Sequence, residues 1–362
     1  MSKKELSGLN SLSLSQELAF SPIAFQNARC LWKLGVLQVI EDFGLKGASI
    51  NDIYKNMDLT KYALGVMLDM GLSQRIITES DQRIKLTNLG FFILNDEMTQ
   101  VNINFMHDVC YQAAFHLEES FISGRPEGLK VFSKKMTIYE KLSTLPNPAR
   151  DSWLAFDHFY SQRSFPEALK YVFKNNPKNI MDLGGNTGKW SIACLLHCPD
   201  VHVTIVDLPG QLDYARSSIE EAGFLNRVTF HEADLLDPNS TLPRNADIVW
   251  MSQFLDCFSP LEVIDILSRV KKSLNEKGRV YIMELFVDRQ IYDAAKYCLD
   301  ATSLYFTFLA NGNSRFYRYS DFIQFIEKSG LCVESKTEHL GVNHTLLECV
   351  STHVSDIGDQ SQ

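Results

Sequence analysis

Apolar side chains recur near the helical period between residues 21 and 44, at Ile23, Ala24, Ala28, Leu31, Leu34, Leu37 and Ile40, and this spacing predicts helix. Ser49 reads as the N-cap of a second helix in the run ASINDIYKNM, and residues 59–71 continue as a third after a short break. From Ile76 and Ile77 to Leu86, two short strands flank the turn Glu79-Ser80-Asp81. Helix, turn, helix and hairpin in that order make a winged helix, which raises the question of DNA. The segment 59–75 offers Lys61 and Arg75 against Asp69, with most other positions apolar, and residues 1–100 hold 10 basic and 11 acidic side chains. Phosphate contacts supply most of the affinity for DNA, so this balance favours a structural or dimerising role.

Residues 102–171 read as helical and rich in aromatic side chains: Phe105, Tyr111, Phe115, Phe121, Phe132, Tyr139, Trp153, Phe156, Phe159, Tyr160 and Phe165. Most of these are expected in the core, and a minority suit the wall of a pocket for a flat apolar molecule. Pro146-Asn147-Pro148 is a candidate hinge. Beyond Asn175 the pattern changes to strands at 179–184, 202–207, 228–231, 246–251, 279–285, 332–336 and 345–349. Helices near 188–197, 211–222 and 260–274 separate the first five strands, which predicts an α/β fold with a doubly wound parallel sheet and an antiparallel edge hairpin. A helix over 292–309 is apolar on several sides but interrupted by Asp293, Lys296 and Asp300, so it belongs in the core or against a pocket. The expected division is a winged-helix dimerisation unit at 1–100, a helical linker and pocket segment at 101–175, a ligand-binding α/β domain at 176–352 and a frayed polar tail at 353–362.

Composition narrows the setting. With 362 residues, 45% hydrophobic and 22% charged, the chain has the make-up of a globular protein of more than one domain. No apolar run approaches the ~18 residues of a membrane span, and the N-terminus carries no apolar signal core, so the expected location is the cytoplasm. A net charge of -9, 35 basic against 44 acidic side chains, opposes binding to nucleic acid or anionic membranes. The eight cysteines, with no CxxC pair, read as reduced, buried thiols, and no histidine spacing suggests a metal.

The chemistry concentrates in the C-terminal half. The first predicted strand ends in Asp182-Leu183-Gly184-Gly185-Asn186-Thr187-Gly188, where glycines let the backbone turn sharply and approach a ligand at the carboxyl end of the sheet. The spacing is not GxGxxG, and Asp182 would repel the pyrophosphate of a dinucleotide while suiting a cationic cofactor. Asp207 ends the second strand, placed for ribose hydroxyls, and Asp234 follows the third, placed for an adenine edge. Each of these alone reads as a turn or cap residue; three at successive strand ends point to S-adenosylmethionine, with S-adenosylhomocysteine as product.

On these motifs the chain resembles the small-molecule O-methyltransferases of the plant type and their bacterial polyketide relatives. DLGGNTG at 182–188 is similar to the family's DVGGGTG, VDLP at 206–209 to its FDLP, and ADLL at 233–236 to its GDMF. The resemblance implies the class I methyltransferase fold, a homodimer joined through the N-terminal domain, and a small aromatic acceptor. It places Asp182, Gly184, Gly185, Gly188, Asp207, Leu208, Asp234, Leu235 and Ser252 against the cofactor, Ser252 standing where the family often has Lys. It aligns Asp256 with the family's catalytic His and Glu284 with the carboxylate that orients it, while a further acidic residue of the family falls near Tyr317 and is absent.

An Asp in place of His lowers the driving force for proton transfer. A phenol of pKa ~10 lies ~3.5 units above His but ~6 above an ordinary Asp, a difference of roughly 3.5 kcal/mol. Three accounts remain open: burial beside Glu284 raises the pKa of Asp256, the acceptor is more acidic than a phenol, or Asp256 only binds a hydroxyl while alignment carries the reaction. As a structural alternative, Asp256 caps the helix near Pro260, and Glu284 is an ordinary strand-end acceptor. The expected activity is O-methyl transfer to an aromatic or polyketide-like hydroxyl. The alternatives are a cofactor-binding relative with altered or no catalysis, and a DNA-binding regulator.

Overall fold

A computed structural model of the protein describes residues 7–352, so the tail expected at 353–362 lies outside the described residues. The chain forms two compact units, the first ending at Asn104 and the second beginning at Phe105. The segment expected as a linker at 101–175 therefore belongs, from Phe105 onward, to the second unit rather than standing between the two.

In the first unit, α1 (Gly8–Lys33), α2 (Val36–Asp42), α3 (Ile50–Lys55) and α4 (Lys61–Ser73) precede the hairpin β1 (Ile77–Ser80) and β2 (Arg83–Leu86), followed by α5 (Asn88–Asn95) and α6 (Glu97–Phe105). The predicted cap at Ser49 is a full capping box: its hydroxyl accepts from the Asp52 amide at 3.1 Å, and the Asp52 carboxylate accepts from the Ser49 amide at 3.0 Å. Leu31, Leu37, Ile40, Ile53, Leu64, Leu68 and Ile84 close this unit's core. Helix α1 starts well before the periodic stretch that predicts it, because much of its N-terminal half is exposed, with Leu9 at 81% and Leu18 at 73%, and so carries no burial pattern.

The second unit opens with α7 (Leu117–Ser123), α8 (Ala149–Gln162) and α9 (Phe165–Val172), then alternates strand and helix. The order is β3 (Asn179–Leu183), α10 (Lys189–His197), β4 (His202–Asp207), α11 (Pro209–Glu221), β5 (Val228–Glu232), β6 (Ala246–Ser252), α12 (Pro260–Ser273), β7 (Leu274–Glu284), α13 (Asp293–Tyr305), α14 (Tyr319–Lys328), β8 (Leu331–Leu340) and β9 (His344–Ser351). The seven-stranded sheet runs β5-β4-β3-β6-β7-β9-β8, parallel except where β9 pairs antiparallel with β7 and β8.

Period-two alternation sends successive side chains of each central strand into opposite cores. Met181, Val249, Met251, Val280 and Ile282 pack with α12 and α14 residues such as Val263, Ile266 and Phe322. Ile180, Ile248, Trp250, Tyr281 and Met283 pack on the other face with Trp190, Leu212 and Ile219. Among the described residues no helix is long and apolar enough to cross a membrane. The cysteines are unpaired; Cys110, Cys194 and Cys349 are buried as expected, Cys30, Cys198, Cys257 and Cys332 are only partly buried, and Cys298 is exposed.

Helix α12 is held at its start by Ser259, whose amide donates to Glu262 Oε2 at 2.7 Å within a second capping box. Asp256 is therefore free of the capping role. Ser259→Ala is expected to destabilise the protein by about 1 kcal/mol, a fall in Tm of roughly 2–4 °C by calorimetry.

Candidate active site

The strand order reverses at β3 and β6, since the chain leaves β3 toward β4 on one side and returns to β6 on the other. In such sheets ligands bind in the crevice beyond the carboxyl ends of the strands at this point. A cavity of about 440 Å³ opens there. Asp182, Gly184, Gly185, Asp207, Leu208, Asp234, Leu235, Ser252 and Asp256 all line it, so residues spread over 75 positions of sequence meet in one place. Gly188 does not line it. Its φ of +76° makes the left-handed turn that starts α10, a conformation only glycine adopts without strain.

The turn after β3 packs tightly. Gly184 has φ +74°, and a Cβ there would stand 2.2 Å from the Phe254 ring. Asn186, which takes the place of a third glycine, also lies at positive φ, +48°, a region Asn tolerates. Its amide donates to Asp207 Oδ2 at 2.8 Å, its side-chain Nδ2 donates to Asp157 Oδ2 at 3.0 Å, and its Oδ1 accepts from Gln211 Nε2 at 2.8 Å. Asp207 Oδ1 accepts the Leu208 amide at 2.7 Å. Asp182, buried, accepts the Ser191 hydroxyl at 2.6 Å. Asp234 is exposed at the rim, and its Oδ1 accepts the Leu236 amide at 2.9 Å.

Burial raises these carboxyls: Asp182 is pushed up to about 7, and Asp207 and Asp157 each to about 6. A site that holds several carboxyls of raised proton affinity out of water is complementary to a cation, whose charge would favour their ionised forms. Three further lining atoms, Ser252 Oγ, Gln211 Oε1 and Trp190 Nε1, are buried with no hydrogen-bond partner. Buried polar groups are nearly always paired, so these atoms mark where a polar ligand fits. S-adenosylmethionine, with ammonium, sulfonium, ribose and adenine groups, matches this donor and acceptor set.

The other end of the cavity is apolar. Phe105 and Phe156 stack at 4.1 Å, Trp153 Nε1 donates to Tyr305 Oη at 3.0 Å, and Met136, Leu142, Phe258, Phe306 and Phe316 complete the wall. Helix α13 and the turn after it supply Tyr305 and Phe306, the pocket-lining outcome of the two expected for that segment.

Asp256 stands in the short turn at 255–257 and is buried. Glu284, at the end of β7, does not line the cavity. Its Oε1 accepts the amides of Phe254 at 3.0 Å and Leu255 at 2.9 Å. It thus anchors the backbone that carries Asp256, where the alignment with the family implied an orienter of the side chain. Burial raises both carboxyls, Asp256 to about 7; the charge of Asp256 raises Glu284 further, and that of Asp157 raises Asp256. Cys257 Sγ–H donates to Asp256 Oδ1 at 3.5 Å. Tyr317, at the position of the absent acidic residue, donates its hydroxyl to the Phe258 carbonyl at 2.6 Å and so braces the same turn.

The sequence pattern does not mark out Asp157, His158 and Gln253, which also line the cavity. The first two lie inside an aromatic run that reads as core, and only the approach of α8 to the glycine turn brings Asp157 to Asn186 and His158 Nε2 to Thr187 Oγ1 at 2.8 Å. Gln253 has φ +48° and its Oε1 lies 2.7 Å from Nε2 of His344, fully buried in β9.

Residues 163–331 match the O-methyltransferase domain family and residues 13–84 the Dimerisation2-like domain family. The architecture is that of a class I methyltransferase with an N-terminal helical dimerisation domain. The similarity to O-methyltransferases thus lies in residues 163–331 and the similarity to dimerisation domains in residues 13–84. It is 32% identical over 107 residues to aclacinomycin 10-hydroxylase RdmB of Streptomyces purpurascens, covering 30% of this chain and 28% of that protein. It is 30% identical over 161 residues, 44% of each chain, to 3-hydroxy-5-methyl-1-naphthoate 3-O-methyltransferase of Streptomyces sahachiroi. The match thus spans less than half the length of either relative. The crystal structure of the S-adenosylmethionine-dependent methyltransferase SibL superposes with a TM-score of 0.71 at 23% identity, covering 94% of this chain and 100% of that one, and shows the same fold.

The anchor at Glu284 leads to a direct test. Glu284→Ala leaves two buried amides unpaired and is expected to cost roughly 2–5 kcal/mol, whereas Glu284→Gln keeps an acceptor oxygen and costs less than half of that; denaturant unfolding of the two variants checks the difference.

Proposed function

We propose that the protein transfers the methyl group of S-adenosylmethionine to a hydroxyl of a small aromatic or polyketide-like acceptor, acting as a cytoplasmic homodimer joined through its N-terminal domain. One observation carries the reading: a single cavity has carboxylates at one end and aromatic rings at the other, with Asp256 lining it. When bound, the cofactor supplies an electrophilic methyl group on a cationic sulfur. Asp182 suits its ammonium group and Asp234 an adenine edge. Asp207 has both oxygens engaged by backbone amides, which orient its carboxylate for ribose hydroxyls. Gly184 and Gly185 keep the turn narrow. The stacked Phe105 and Phe156, with Trp153 and Tyr305, hold a flat acceptor.

Asp256 takes the acceptor proton. Raised to about 7, it lies ~3 units below a phenol of pKa ~10, an uphill transfer of about 4 kcal/mol, against about 8 kcal/mol from an ordinary Asp near 3.9. Burial thus brings this carboxyl to the proton affinity of a histidine, and this supports the first of the three accounts of the substitution. The remaining barrier falls by alignment of oxygen and methyl carbon.

Labelled S-adenosylmethionine and a panel of hydroxylated aromatics test the reading, and absence of cofactor binding by calorimetry would sink it. Asp256 also favours a second reading, altered chemistry on a bound cofactor, since one relative is named as a hydroxylase. Tight cofactor binding with acceptor conversion but no label transfer would select it. Under the first reading, Asp256→Asn is expected to lower kcat more than tenfold with the cofactor Kd unchanged. Because the base must be ionised, kcat/KM is expected to rise with pH through about 7 in the native protein. Asp182→Asn is expected to weaken cofactor binding about tenfold, the effect of ~1.4 kcal/mol, measured by titration calorimetry.

A further inference from the structure

Charge is distributed unevenly around the cavity. Among the described residues lining it, the basic side chains are Lys189 and His158. Both sit at the glycine turn: Lys189 is the first residue of α10, and His158, beside Thr187, is held neutral by burial and by the Lys189 charge, with a pKa lowered to about 4. Among the described residues no cation of the lining stands beside the aromatic rings; Lys135, behind the lining, is paired with the lining Glu140 at 3.1 Å. Two acids of the lining lie near enough for the charge of one to act on the other, Asp256 on its turn and Asp157 on α8. Trp153 and Asp157 are four residues apart on that helix and share a face, so the ring that walls the acceptor end and this carboxylate point the same way. Asp157 Oδ2 is held by Asn186, and its negative charge reaches Asp256 and raises its pKa.

An acceptor bearing a carboxylate would bring a third negative charge to this place, out of water and with no side-chain cation of the lining beside it to pair it, an arrangement poorly tolerated in a protein interior. A neutral ring meets no such penalty, and an ammonium group would find a partner. We infer that the acceptor enters without negative charge, as a flat hydroxylated ring system that is neutral or carries an ammonium group, and that Asp157 is the residue that rejects carboxylated acceptors and pairs with ammonium-bearing ones. The inference rests on the methyl-transfer reading and adds the charge of the acceptor to it. It separates this chain from the relative that is named for a naphthoate.

The test is calorimetric, on the full-length protein loaded with S-adenosylhomocysteine at pH 7.5, with three matched probes: 2-naphthol, 6-(aminomethyl)-2-naphthol and 6-hydroxy-2-naphthoate. The first two are expected to bind and the naphthoate to bind at least tenfold more weakly than 2-naphthol. In Asp157→Asn, whose side chain keeps an oxygen for Asn186, the naphthoate deficit is expected to shrink at least threefold and the aminomethyl probe to lose affinity relative to 2-naphthol. Equal binding of naphthoate and naphthol by the native protein overturns the inference whether or not the variant folds. So does an unchanged ranking in the variant, or failure of all three probes to bind the loaded protein. Failure of the underlying reading shows separately, as no uptake of S-adenosylhomocysteine or no transfer of label from S-adenosylmethionine to any acceptor, and would take the inference with it.

Discussion

The carboxylate of Glu284 ties the end of β7 to the turn that follows β6, with Oε1 shared between the amides of Phe254 and Leu255. Much of the site follows from that tie. Phe254 is held where its ring fills the space above Gly184, which is why the turn after β3 carries no side chain there. Asp256 is carried into the cavity two residues later, and Tyr317 secures the far side of the same turn through the Phe258 carbonyl. A carboxylate buried at a strand end is costly to desolvate, and its two backbone partners, the proximity of Asp256 and the resulting high proton affinity are consequences of one placement.

The same physics operates across the cavity. Asp182, Asp207, Asp157 and Asp256 all lie where burial raises their proton affinity, so in the free protein they compete for protons that a cationic ligand would displace. Each such group adds stability below its unfolded pKa near 4, and that contribution is lost as pH rises through the folded values of about 6 to 7. Folding thus holds ionisable groups in a place that destabilises the empty protein near neutrality and serves a positively charged cofactor. That distribution also gives Asp256 a proton affinity near that of a histidine: it comes from the surroundings and not from the residue type.

Much of the fold is legible in the order of residues. Strands buried on both faces read as near-continuous apolar runs, and the glycine turn, VDLP and ADLL stand at strand ends that can be counted along the chain. The capping box at Ser49 and the edge hairpin follow from equally local signals. Less legible are features that depend on contacts between distant segments. The exposed start of α1 has no burial period to report, and the aromatic run 102–171 does not say which of its rings face a cavity. Asp157 is a case of this kind, since nothing near it in sequence distinguishes it from a surface carboxylate on an amphipathic helix.

The chain's own order of residues therefore settled the α/β class and the positions of Asp182, Asp207 and Asp234 at successive strand ends, because periodicity and turn chemistry are local properties. The meeting of Asp157 with Asn186, the anchoring rather than orienting role of Glu284, the exclusion of Gly188 from the lining and the raised proton affinity of Asp256 came only from the packed molecule. Each depends on desolvation or on a hydrogen bond between segments far apart in sequence, and burial of that kind exists only once the sheet and its covering helices have closed around the site.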